Sequence, residues 1–143
     1  MNKLNNKIFA VDDDLFHLGA MKQILNSNGD EEIVTFENGV ECLLEIHQNP
    51  KIVFLDHQMG IYTGFETLKK IKRHNPNIFV VMVSAQEEMQ TAIDALKYGA
   101  FDYLQKDENL EQKVLEVMQK INEVEQVLKK KKSFGLKSLL KIR

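Results

Sequence analysis

Two apolar runs that each stop at acid limit what this chain can fold into. Ile8-Phe9-Ala10-Val11 runs into Asp12-Asp13-Asp14, and Ile52-Val53-Phe54-Leu55 runs into Asp56. A short, unbroken apolar run is what a strand needs when helices cover both faces of a parallel sheet. Two such strands ending in carboxylates can set several negative charges side by side at one sheet edge. That cluster is unstable unless a cation or a proton sits in it. A hard divalent ion held by oxygens meets the need.

The rest of the chain repeats the strand-then-helix alternation. Strands are expected at Lys7–Val11, Glu32–Phe36, Ile52–Leu55, Ile78–Val83 and Asp102–Gln105. Between them lie helical patterns: Leu18, Met21 and Leu25; Val40, Leu43 and Leu44; Phe65, Leu68 and Ile71; Met89, Ala92, Ile93 and Leu96. Turns are signalled by Asn28-Gly29-Asp30, Asn49-Pro50, Asn75-Pro76-Asn77 and Tyr98-Gly99. Five βα units with right-handed crossovers make a doubly wound, three-layer α/β domain with a five-stranded parallel sheet.

Bulk properties narrow the class. A chain of 143 residues, 43% hydrophobic and 28% charged, is long enough for one domain with its own core. No apolar stretch approaches the roughly 20 residues of a membrane helix, and the N-terminal MNKLNNK has no secretory apolar core. A cytoplasmic protein is expected. Cys42, the only cysteine, has no disulfide partner and falls in an apolar helical pattern, as a core residue would. All 21 acids precede residue 129 with 12 of the 19 Lys and Arg, a net −9, while the last fifteen residues carry seven basic groups and no acid, a net +7. The chain is an acidic body, 1–128, with a basic tail, 129–143.

Ligands of open α/β sheets bind beyond the carboxyl ends of the strands. There the chain places Asp12, Asp13, Asp56, Ser84 and Lys106. Asp14 reads as the cap of the first helix. His57 reads as a loop histidine, since no second histidine sits at ligand spacing; His17, His47 and His74 read as surface or partly buried side chains.

In Val11-Asp12-Asp13, Leu55-Asp56-His57-Gln58-Met59, Val83-Ser84-Ala85 and Asp102-Tyr103-Leu104-Gln105-Lys106, with Gly99-Ala100-Phe101 leading in, the chain resembles the receiver domain of response regulators from about Lys7 to Val127. The resemblance implies a flavodoxin-like strand order, 2-1-3-4-5. It implies that Asp56 is the phosphoacceptor, charged by a histidine kinase, a phosphotransfer protein or a small phosphodonor. Asp12, Asp13, Asp56 and the backbone carbonyl of Gln58 would hold Mg²⁺, with Mn²⁺ as an alternative ion. Lys106 would pair with Asp56 before reaction and with a phosphoryl oxygen after it, and Ser84 would donate to another. Tyr103 would be the aromatic that swings inward on activation. Gln58 and Gln86, each two residues past a site residue, are best placed to tune hydrolysis of the phosphorylated form.

Two positions depart from the family's pattern. Gly60 stands where proline is usual, which loosens the loop after Asp56. Asp107 stands where a cis proline usually follows the lysine; a cis bond before a non-proline costs about 2.5–4 kcal/mol, so a trans bond that redirects the Lys106 amine is one outcome, and a strained bond the other. Asp107 also reads as an N-cap for the last helix.

That last helix carries apolar residues at 110, 114, 117, 121, 124 and 128, a heptad seam. Packing on the sheet accounts for most of it, and Val124 and Leu128 leave a homodimer seam open. Residues 129–143 are too few for a second domain, so no DNA-binding module is expected and output is by protein contact. The tail either extends the last helix or is flexible: a frayed terminus, a segment docked on a protein partner or on the acidic body, or a contact to anionic membrane or nucleic acid. The expected function is a phosphorylatable switch, not a turnover enzyme. Two other readings compete: a binding module of the same fold that works without phosphate, and a metal-dependent phosphatase with an aspartyl nucleophile. The second usually needs another acid two residues on, where this chain has Gln58.

Overall fold

The computed structural model describes residues 6–27, 29–57, 63–85 and 88–141, the last six through their backbone alone. Five strands, β1 Lys7–Val11, β2 Glu32–Phe36, β3 Ile52–Asp56, β4 Phe79–Ser84 and β5 Asp102–Gln105, form one parallel sheet in the order β2-β1-β3-β4-β5. Helices α1 Leu15–Asn26, α2 Gly39–Glu45, α3 Gly64–His74, α4 Met89–Lys97 and α5 Leu110–Lys141 connect and follow them. The architecture is the doubly wound, flavodoxin-like α/β fold.

Strand residues alternate between two cores, as period-2 side chains must. Phe9, Val11, Val53, Leu55, Val80 and Met82 meet one layer, with Cys42, Leu68, Ile71 and Ala95. Ile8, Ala10, Ile52, Phe54, Val81 and Val83 meet the other, with Leu18, Met21, Leu25, Val114, Val117 and Ile121. Each fully buried Leu, Ile or Phe contributes about 1.5–3 kcal/mol. Cys42 is fully buried, and burial pushes its thiol up to about 12, so it packs as an apolar residue.

Side-chain caps set three helix starts. Asp14 accepts from Phe16 N, Asn38 from Glu41 N and Thr63 from Glu66 N. Gly99, at φ 105°, closes α4 in the left-handed region and turns the chain into β5.

Several expectations are corrected. Strand β4 starts at Phe79 rather than Ile78, whose N–H closes a turn on Asn75 O, and it runs on to Ser84; β3 runs on to Asp56. The buried side of α2 is Gly39 and Cys42, while Val40 and Leu44 are exposed, because α2 lies close against Thr67 of α3 where a β-carbon at Gly39 would collide. In α4 the buried residue is Ala95; Met89, Ile93 and Leu96 face solvent, since the helix meets β5 through its small side chains. For the tail, helical extension was one of the two forms expected, and helix α5 runs on past residue 129 as far as Lys141, 32 residues in all.

Candidate functional site

Register alone assembles the acids. Val11 pairs with Leu55, so the chain leaves β1 at Asp12 and β3 at Asp56 side by side. Asp56 pairs with Val83, which puts Ser84 one step beyond it, and Ser84 pairs with Gln105, which delivers Lys106. One carboxylate oxygen each from Asp12, Asp13 and Asp56 lies within 4.8 Å of the others. Asp12 and Asp56 are buried and Asp13 is exposed, so the cluster is open on one side.

Lys106 supplies the counter-charge. Its Nζ lies 2.7 Å from Asp12 Oδ2 and 3.2 Å from Asp56 Oδ1. Asp12 Oδ1 in turn accepts from Asp14 N at 2.9 Å, which fixes the carboxylate plane. Among the described residues no peptide bond is cis, so Lys106–Asp107 is trans, and the amine still reaches both acids. Lys106 N donates to Ser84 O at 2.7 Å and holds the end of β5 against β4. Asp107 begins the turn into α5, accepting from Asn109 N at 2.9 Å and from Lys113 Nζ at 2.8 Å. Those bonds hold its carboxyl below the usual range.

Burial pushes the Asp56 carboxyl up to about 6, and repulsion from Asp12 adds to this against the pull of Lys106. Burial alone would lower the Lys106 ammonium, but its hydrogen bond to Asp12 and the charges of Asp56 and Asp12 outweigh it and hold it above its ordinary value. One ammonium against three carboxylates leaves net negative charge in a partly dry site. The oxygen-only donor set, open toward solvent, fits a divalent cation that keeps some of its waters.

An open cleft of ≈ 570 Å³ lies over these groups, lined by Asp12, Asp13, Asp56, Lys106, His57 and Thr63 among others. The loop leaving Asp56 is clamped at its ends: His57 N donates to Val83 O at 3.1 Å, and Gly64 N donates to His57 O at 2.9 Å. The His57 ring stands edge-on to Phe65 with centroids 4.7 Å apart, and burial pushes its pKa down. It is a packing residue of the cleft wall and lies outside the carboxylate cluster.

The structure therefore brings Asp12, Asp13, Asp56 and Lys106 together, with Ser84 buried at the end of β4. Tyr103 is half-buried against the α2–α4 side of the core. Gln58 and Gln86 lie outside the described residues, as do Met59 and Gly60. The sequence reading did not place Thr63 or His17 in the cleft wall. His17 falls one helical turn after Asp14, which it approaches at 3.7 Å, and that spacing was the available signal. Nor was the Lys106–Asp12 bond foreseen.

A family model described as response regulator receiver domain matches residues 8–129. The chain is 33% identical over 115 residues to the chemotaxis protein CheY of Listeria monocytogenes, covering 80% of this chain and 96% of that one. It is 37% identical over 98 residues to the transcriptional regulatory protein ZraR of Klebsiella oxytoca, covering 68% of this chain but only 22% of ZraR. Among solved structures, a CheY-like receiver domain protein from Methanospirillum hungatei superposes with a TM-score of 0.76 at 26% identity, covering 87% of this chain and 98% of that one. The CheX–CheY–BeF3–Mg complex from Borrelia burgdorferi gives 0.76 at 29% identity, covering 82% and 90%.

Proposed function

The chain belongs to the response regulator receiver domain family, and on that footing we propose that it is a phosphorylatable switch that takes a phosphoryl group on Asp56 and signals through protein contacts. The observation that carries the reading is the convergence of Asp12, Asp13 and Asp56 to within 4.8 Å, with Lys106 bridging two of them.

In the proposed step an Asp56 carboxylate oxygen forms a bond to phosphorus while the bond from phosphorus to the donor's leaving atom breaks. The leaving atom keeps the electron pair, and the product is an acyl phosphate. Asp12, Asp13, Asp56 and the Gln58 carbonyl would hold Mg²⁺, or Mn²⁺ in its place, and the ion would neutralise phosphoryl oxygens as charge moves across them. Lys106, already aimed at Asp56, would follow a phosphoryl oxygen after transfer. Ser84, at the end of the neighbouring strand, would donate to another. Tyr103 would respond to that movement, a population shift toward the state the phosphoryl group prefers. Donors are a histidine kinase, a phosphotransfer protein or a small acyl phosphate, in the cytoplasm. The chain assists its own phosphorylation and dephosphorylation and turns over no other substrate.

Acetyl phosphate with Mg²⁺ tests this by intact-mass spectrometry. The chain should gain one phosphoryl group, lost with hydroxylamine, and Asp56→Asn should gain none. An unmodified wild type would overturn the proposal.

A further inference from the structure

Helix α5 has two halves of opposite character. Its first half packs Val114, Val117, Met118 and Ile121 against the sheet. Its last described tie to the body is Lys51, whose Nζ reaches Asn122 Oδ1 at 2.8 Å and Glu125 Oε1 at 2.9 Å. From Gln126 to Gly135 every residue is exposed, and the helix continues to Lys141. At 1.5 Å per residue, that overhang is about 24 Å long. Val127 and Phe134 stand in it 62% and 75% exposed, on a helix with no core of its own. An isolated helix of this length is marginal in water, so the overhang gains from a partner.

Charge identifies the partner. The overhang and the residues after it hold seven basic groups from 129 onward and no acid, against a body of net −9. On the solvent side of the first half, Glu108, Glu111, Leu115 and Glu116 line an open groove of ≈ 400 Å³. At 3.6 residues per turn the face bearing Leu115 and Gln119 continues through Gln126 to Lys130 and Phe134. One stripe is thus acidic around a leucine in its first half, and basic around a phenylalanine in its second. A continuous helix cannot lay its end back on its own beginning, so these complementary halves can meet only between molecules.

We propose that a second copy of this chain pairs antiparallel along α5, the basic overhang of each helix lying in the acidic groove of the other. A two-fold axis near Asn122 and Glu123 generates both contacts at once, as an isologous interface requires. Tail-to-tail pairing would instead oppose the Lys129–Lys132 runs of the two copies. The interface lies on the face opposite the body, away from half-buried Val124. It stands independently of phosphorylation at Asp56.

Sedimentation velocity of the full chain over a protein dilution series tests it. A dimer is expected at low salt, with its dissociation constant raised about tenfold or more at high salt as the charges are screened. A tail-reversed chain (Lys129→Glu with Lys130→Glu) and a groove-reversed chain (Glu111→Lys with Glu116→Lys) should each be monomeric, with circular dichroism and Tm showing them folded. Mixed together, they should recover a heterodimer, because each reversed tail then faces a reversed groove. A monomeric wild type, a dimer indifferent to either reversal, or failure of the folded pair to associate overturns the proposal. A wild type that stays monomeric while binding phosphatidylglycerol vesicles overturns it too, and assigns the overhang to a membrane surface.

Discussion

Lys106 is bonded more closely to Asp12 than to Asp56: its Nζ is 2.7 Å from Asp12 Oδ2 and 3.2 Å from Asp56 Oδ1. All three side chains are at most one-tenth exposed, so the ammonium stands where a cation would otherwise be needed. It therefore contributes to folding, beside the role proposed for it in phosphoryl transfer. The sign follows from its raised pKa: the stabilisation is complete below the ordinary lysine value and is lost only as pH rises through the folded one.

Lys106→Ala should accordingly cost about 3 kcal/mol at pH 7 by leaving buried carboxylates unpaired. The loss should shrink in mild acid, where those carboxylates can take protons, and on addition of Mg²⁺. Urea unfolding at two pH values, with and without the ion, measures it. An equal loss under all conditions would mean that the lysine acts through packing alone.

At pH 7 Asp56 carries a penalty where Lys106 contributes stability, although stability falls with rising pH in both cases. Its carboxyl is raised from 3.8 to about 6, so between those values the folded chain holds a proton that the unfolded chain has released. Stability therefore falls as pH rises through that window and stays lowered above it. Asp56→Asn removes the penalty and should stabilise the chain by about 1–3 kcal/mol at pH 7. The two proteins should converge near pH 4. Thermal melts of both across that range check the prediction, and parallel pH profiles would refute it.

Much of this site was legible because strand ends are legible. The runs closing at Asp12 and Asp56 are short and unbroken, as strands covered by helices on both faces are; the observed order then makes the acids neighbours. The faces of α2 and α4 were not legible. Hydrophobic periodicity marks an apolar stripe but not what covers it, and Met89, Ile93 and Leu96 form such a stripe facing solvent. The packing side of α4 is Ala95, too small to stand out in a pattern. The trans bond before Asp107 was one of two open outcomes. The Asp107 turn, held by Asn109 and Lys113, delivers Lys106 to the acids without a proline.

Gly64 is fixed by a close approach. A β-carbon there would lie 2.6 Å from the Asp56 carbonyl oxygen and 2.8 Å from His57 Cα, backbone atoms that cannot rotate away. Gly64→Ala should cost about 1–3 kcal/mol. It should also slow phosphorylation, because the strain falls on the backbone of Asp56, the proposed nucleophile, and of His57 beside it. Chemical denaturation paired with acetyl phosphate labelling tests this. A destabilised chain that labels at the wild-type rate would separate the packing from the chemistry.

Hydrolysis of the phosphorylated form gives the last test. Water must approach phosphorus along the line opposite the Asp56 oxygen, because the acyl phosphate opens by in-line displacement. The site is open to solvent at exposed Asp13, and the side chains proposed to meet that water follow Asp56 and Ser84 in the sequence. Gln58 and Gln86, two residues beyond each, are long, polar and uncharged. They can hydrogen-bond a passing water without repelling it or the phosphoryl charge. A lifetime of seconds to minutes is expected, and replacing Gln58 and Gln86 by alanine should change it while the rate of labelling stays near wild type. Following phosphate release from purified, labelled chain reads the effect directly. An unchanged lifetime in both variants would remove these side chains from the water's route.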